Sequence, residues 1–207
     1  MSVGIQQTGD SMRLPRAPVH RFTVDEYHRM IEAGVLTENH RVELLEGWIV
    51  AKMPHNPAYD STIDLTVGEL EGLLTQDWFI RVQSAITLED SEPEPDVAVV
   101  RGPRGRYVDH HPRAQDIGLV IEVSDTTLQN DRNDKGPLFA RARIATYWII
   151  NIPETRIEVY TEPSGPDSFP CFHQMRVYGR EESVPVILDN KEVGQIAVGK
   201  VFPEPKR

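Results

Sequence analysis

Apolar positions in the middle of the chain come as short unbroken runs, at 97–100 and 119–123, whereas those on either side recur at helical or alternating spacing. Unbroken runs of this length fit strands covered on both faces. Upstream, Ile63, Leu65, Val67, Leu70, Leu73 and Leu74 fall mainly on one helical face, which predicts a helix over 57–75. An earlier helix is signalled by Thr23 with Glu26 three residues on, and Gly34 supplies its stop. Runs at 41–45 and 48–53 flank Glu46-Gly47 and read as a hairpin. Residues 78–82 and 85–88 read as extended, as do 146–150 and its hairpin partner 156–160, while 162–170 has loop composition.

Pro137 limits the helix between the second apolar run and 146–150. Proline is tolerated only where its missing N–H had no partner, so this helix is expected to begin at 131–134 and to run to about residue 143. Lys135 then falls in a first turn, where the dipole favours an anion such as phosphate over a cation. The core order is helix, three strands, helix, strand, with an N-terminal helix and hairpin before it and further strands after it. That is an α/β arrangement with a mixed β-sheet flanked by helices.

The polar residues inside this apolar frame carry the chemistry. Asp96, after Glu92-Pro93-Glu94-Pro95, stands at the mouth of the first buried run, and Glu122 lies within the second. A lone carboxylate in such a strand is costly unless a cation or hydrogen-bond donors stabilise it. Two carboxylates on adjacent strands, the carbonyl of Val123 and a nearby Lys135 suit a hard cation such as Mg²⁺, with Mn²⁺ as a substitute, in phosphodiester cleavage. Plainer roles exist for each: Asp96 as a strand-start residue, Glu122 paired with an arginine, Lys135 in a helical pair with Asp131.

Composition narrows the setting. The chain has 207 residues, enough for one core, and its single cysteine, Cys171, forms no internal disulfide, which fits a reducing cytoplasmic interior. No run nears the roughly 20 apolar residues of a membrane span, and none is expected. Residues 1–18 read as a flexible leader and 19–207 as a single domain. The formal charge of −10 runs against a polyanion partner, although Arg101, Arg104, Arg106 and Arg113 cluster after the first buried run, as a solvated loop or a phosphate track. His110 and His111 read as loop residues. No zinc spacing, Walker loop or serine-nucleophile elbow occurs.

The landmarks Phe22-Thr23-Val24-Asp25-Glu26-Tyr27, Val42-Glu43-Leu44-Leu45-Glu46-Gly47, Met53-Pro54, Gln83, Glu92-Pro93-Glu94-Pro95-Asp96, Leu119-Val120-Ile121-Glu122-Val123, Asp131, Lys135 and Tyr147-Trp148-Ile149-Ile150 occur in order. With them the chain resembles the Uma-type (Uma-two) family of restriction endonucleases, within the PD-(D/E)XK nuclease superfamily. The resemblance implies a restriction-endonuclease-like core in which Asp96 is the PD aspartate and Glu122 the second acidic ligand. Position 124, where the superfamily carries lysine, is Ser124, and the matching lysine is Lys135 on the following helix. Glu43 and Gln83 match further positions that line the site. Tyr59 stands where the family often has histidine, at the start of the helix after Met-Pro.

The resulting expectation is a Mg²⁺-dependent endonuclease acting on DNA, with a homodimer favoured by the need to cut two strands. Its first alternative is a non-catalytic nucleic-acid-binding or assembly protein that keeps the nuclease fold, suggested by the acidic balance, Tyr59 and Ser124. A glycosidase carboxylate pair ranks last, because it leaves the lysine without a role.

Overall fold

The computed structural model describes residues 18–204; the expected leader lies outside that range apart from its last residue. Helix α1 (Val24–Glu32) begins at the predicted capping box: the Glu26 N–H donates to the Thr23 hydroxyl at 3.2 Å, and the Thr23 N–H donates to the Glu26 carboxylate at 2.9 Å. Strands β1 (Val42–Leu45) and β2 (Trp48–Ala51) pair as a hairpin whose turn residues, Glu46 and Gly47, both take positive φ. Helix α2 (Pro57–Glu71) is capped by Asn56, which accepts from the N–H groups of Ala58 and Tyr59, and it stops at Gly72, short of residue 75.

Six strands form the main sheet in chain order: β3 (Trp78–Val82), β4 (Val97–Arg101), β5 (Ile117–Ser124), β6 (Thr146–Asn151), β7 (Arg156–Pro163) and β8 (Phe172–Gly179). Every neighbouring pair is antiparallel except β5–β6, which is parallel and therefore joined by a helical crossover. Strands β9 (Ser183–Leu188) and β10 (Lys191–Ala197) form a separate hairpin. Residues 85–88 form no named strand; Thr87 makes an isolated bridge with Arg113, and the N–H groups of Ile86, Thr87 and Leu88 donate to the carbonyls of Pro93, Pro112 and Ser91.

Both faces of the sheet are covered, which accounts for the unbroken apolar runs. Val97, Val99, Leu119, Ile121, Trp148 and Ile150 pack with Ile63 and Leu70 of α2 and with the β9–β10 hairpin. Ala98, Val100, Val120, Tyr147 and Ile149 pack on the opposite face with Leu138 and Phe139.

The crossover corrects one expectation. Helical structure starts at α3 (Leu128–Asn130), passes through a π-helical turn (Asp131–Lys135) and continues as α4 (Gly136–Arg141). Lys135 is therefore not at a helix start with free N–H groups. Pro137 is accommodated by widening the helix, with the Gly136 N–H returning to the Asp131 carbonyl across the π turn. Such turns rotate the side chains that follow them relative to a regular helix, and here they bring Lys135 against the sheet.

Gly118, in β5, permits a close approach of layers: a Cβ there would lie 2.6 Å from Leu188 Cδ2 and 2.8 Å from the Trp78 ring. Gly118→Ala is expected to lower stability by about 1–3 kcal/mol through overpacking. Urea unfolding checks this, and an unchanged midpoint would mean that Trp78 and Leu188 yield freely.

Candidate active site

Sheet register brings the predicted acids together. Val97 pairs with Ile121 across β4–β5, so continuing the antiparallel register by one residue sets Asp96 opposite Glu122. Directly opposed residues of an antiparallel pair share a face, with Cβ atoms about 4.5–5.5 Å apart. On the other side of Asp96, Val82 pairs with Val97, and the Gln83 N–H donates to the Asp96 carbonyl at 3.0 Å. Gln83, Asp96 and Glu122 thus stand abreast at one end of three strands.

Asp96 and Glu122 are only 7% and 2% exposed, so two like charges face each other where water cannot screen them. Lys135 answers this: its Nζ lies 2.8 Å from Glu122 Oε1 and 3.7 Å from Glu43 Oε1. Burial pushes the Glu122 carboxyl well above its usual range, Lys135 opposes that push, and Asp96, Asp131 and Glu43 reinforce it. For Lys135 burial disfavours the charge, but Glu122, Glu43, Asp131 and Asp96 outweigh it and hold the ammonium firmly protonated. The helical pair of Lys135 with Asp131 does not form; the Asp131 carboxylate instead accepts from the Ser124 and Thr127 hydroxyls at 2.6 and 2.7 Å. Ser124 therefore anchors the π turn that presents Lys135.

These groups line a cleft of about 220 Å³ bounded by β2, the start of α2, the ends of β3–β5 and the π turn. Its wall holds seven carboxylates (Glu43, Glu94, Asp96, Glu122, Asp125, Asp131 and Asp134) against two lysines, Lys52 and Lys135. Glu43 is buried and accepts the Glu94 N–H at 2.9 Å, and Lys52 pairs with the Glu94 carboxylate. The Val123 main chain is present through its N–H, which donates to Asp96 Oδ2 at 2.7 Å, while its side chain packs in the opposite core. Among the described residues no three His, Cys, Asp or Glu side chains converge as a ready ligand set.

Three residues of the cleft were not singled out as site residues from the sequence. The Tyr59 hydroxyl, in the first turn of α2, donates to Asp96 Oδ1, and burial followed by Asp96 raises its pKa far above the usual phenol value. His55 stacks on Tyr59 with ring centroids 4.5 Å apart and lies 3.3 Å from the Gln83 amide. Asn56 reaches Asp125 at 2.6 Å while capping α2. The available signal for Tyr59 was its position, where the resembled family often has histidine.

The same row of the sheet continues through Ile149 to Glu158 on β7, on the face covered by the crossover. Glu158 is fully buried and collects Arg132, Arg156 and the Tyr160 hydroxyl, the last at 2.8 Å. Arg132 belongs to the π turn, so this ion pair pins the segment carrying Lys135. Burial pushes the Glu158 carboxyl up, but hydrogen bonds from Arg132, Tyr160 and Arg156 prevail and bring it from 4.5 down to about 2. A depressed carboxyl contributes stability that is present above its unfolded value and is lost as pH falls through the folded one, here from about 4.5 to about 2. Arg132→Ala is expected to move the acid-unfolding midpoint upward, as followed by circular dichroism. A midpoint identical to the parent protein's would contradict this pinning role.

A mixed sheet with one parallel pair, a helical crossover after the second acidic strand, and Asp, Glu and Lys at one strand end define a restriction-endonuclease-like fold. The solved structure described as a "putative nuclease belonging to DUF820" from Anabaena variabilis ATCC 29413 superposes with a TM-score of 0.64. It shares 16% identity, and the alignment covers 87% of this chain and 97% of that one. No curated protein matches the sequence significantly. The profile of the Uma2 family, described as "putative restriction endonuclease", matches residues 24–186, and the protein belongs to that family. Among the described residues no helix is long and apolar enough to cross a membrane.

Proposed function

We propose that the protein is a divalent-metal-dependent endonuclease that hydrolyses phosphodiester bonds of DNA, using Asp96, Glu122 and Lys135. The family description and the nuclease fold support phosphodiester hydrolysis. The observation that carries the reading is the opposition of Asp96 and Glu122 across β4–β5, with the Lys135 ammonium 2.8 Å from Glu122.

The donor set fits a hard cation. It offers only oxygen, in a cleft where seven carboxylates face two lysines, and a polyanion enters such a cleft only after that charge is offset. Asp96 and Glu122 would hold the ion, the Val123 carbonyl would add a main-chain oxygen, and water would complete the shell. When bound, Mg²⁺ or Mn²⁺ polarises a phosphoryl oxygen and lowers the pKa of an attacking water. Lys135, kept protonated by its acidic neighbours, supplies positive charge for the negative charge that develops on the phosphoryl group. Glu43 keeps Lys135 near Glu122 and fixes the Glu94 backbone, and Gln83 lines the same end of the sheet. A homodimer would present one such site to each strand of a duplex.

One observation favours a second reading, a nuclease fold used for binding without turnover. Both Asp96 oxygens already accept hydrogen bonds, from Tyr59 and from the Val123 N–H. Metal uptake separates the two readings.

Asp96→Ala and Glu122→Ala are each expected to reduce Mg²⁺-supported DNA nicking by about a thousandfold while leaving the circular dichroism spectrum intact, and Lys135→Ala by about a hundredfold. Full activity in both carboxylate variants would contradict the mechanism. Tyr59→Phe removes a competitor for Asp96 and is expected to tighten Mn²⁺ binding by about tenfold in calorimetric titration. The binding-only reading expects no metal uptake by either protein.

A further inference from the structure

Beyond the acidic cleft, β3 carries an arginine with no charged partner. Arg81, which pairs with Ala98, lies on β3 two residues before Gln83 in the chain. The Arg81 Nε and the Tyr107 hydroxyl are buried and have no hydrogen-bond partner among the described residues. No carboxylate forms an ion pair with Arg81 among the described residues. Of the buried carboxylates nearby, Glu92 is already engaged by His28 at 2.7 Å and by the Thr87 hydroxyl at 2.9 Å, and Asp116 by Arg106 at 2.9 Å.

Arg81 and Tyr107 both line a pocket of about 560 Å³ between α1 and the segment that follows β4, whose wall carries His111 and Arg113 together with the carboxylates of Asp25, Glu32, Glu92 and Asp109. A smaller pocket lined by Arg81, Gln83 and Glu94 shares Arg81 with it, and shares Gln83 and Glu94 with the wall of the acidic cleft. Buried donors are rarely left unpaired. A ligand that completes the Arg81 Nε and the Tyr107 hydroxyl brings acceptor oxygens, and negative charge suits the guanidinium. A tetrahedral oxyanion supplies both, because guanidinium offers a planar fork of donors to it. The neighbouring arginines 101 and 106 are not available for this, since they pair with Asp189 and Asp116.

We propose that Arg81 and the Tyr107 hydroxyl form a phosphate subsite, which takes a backbone phosphate of the nucleic acid adjacent to the one held at Asp96 and Glu122. The anion site stands on the two unpaired donors; only the owner of the phosphate rests on the nuclease reading.

Calorimetric titrations of the full chain at low salt test it with two probes: inorganic phosphate without divalent metal, and a short DNA duplex with Ca²⁺ present to offset the charge of the acidic cleft. Arg81→Ala is expected to weaken both by about tenfold or more and to reduce the salt dependence of duplex binding by about one ion. Arg104→Ala, outside the pocket, is expected to leave both unchanged. Loss of phosphate binding in Arg81→Ala, in a protein that never binds the duplex, overturns the nucleic-acid assignment and the nuclease reading together. Parent-like binding of both probes by Arg81→Ala, with DNA still cleaved, overturns the subsite alone. Should Arg81→Ala fail to fold, Arg113→Ala at the exposed rim decides: about a threefold loss is expected, and no change overturns the proposal.

Discussion

The constraint on which the rest depends is the confrontation of Asp96 and Glu122 across two strands whose other residues are almost all apolar. Like charges directly opposed in a sheet destabilise it, and burial removes the water that would screen them. Lys135 is the local answer, and holding a lysine there demands further structure. The π turn brings Lys135 against the sheet, Ser124 and Thr127 tie down Asp131 at its start, and Arg132 fastens it to Glu158 on β7. Each of these polar contacts lies on a covered face of the sheet, where an apolar residue would pack with less penalty. Their presence there points to a purpose other than stability.

A single lysine does not balance the cleft. Carboxylates from β1, the strand ends and the π turn leave it strongly acidic, in a chain whose formal charge is −10. A polyanionic substrate and an acidic cleft are compatible only through a cation, so the charge that argues against nucleic acid at the level of composition argues for a metal at the level of the site. Arg81 on the neighbouring stretch of β3, with its buried Nε lacking a partner among the described residues, adds positive charge beside the acids.

Much of this was legible in the amino-acid sequence because it is written in short-range chemistry. The unbroken runs around Asp96 and Glu122 announced buried strands, the Thr23–Glu26 box marked a helix start, the spacing of Ile63 to Leu74 marked a second helix, and Glu46-Gly47 marked the hairpin. Where local rules compete, the reading slipped. Pro137 suggested a helix beginning at 131–134, but a π turn absorbs the missing N–H and lets the helix begin at Leu128. Tyr59 and His55 join the cleft through the direction of α2, which depends on packing against the sheet rather than on neighbouring residues. The partners of Glu158 were invisible for the same reason, since Arg132 and Glu158 meet only across the crossover, and Arg81 looked like any strand arginine until its lack of a partner could be seen.

The most direct test of the account is a crystal structure with Mn²⁺, located by anomalous scattering. The account predicts one ion bound by oxygens of both Asp96 and Glu122 at about 2.0–2.4 Å, with the Tyr59 hydroxyl displaced from Asp96. Crystals saturated with Mn²⁺ that show no ion between these carboxylates, with Lys135 and Tyr59 still in their present contacts, would contradict it.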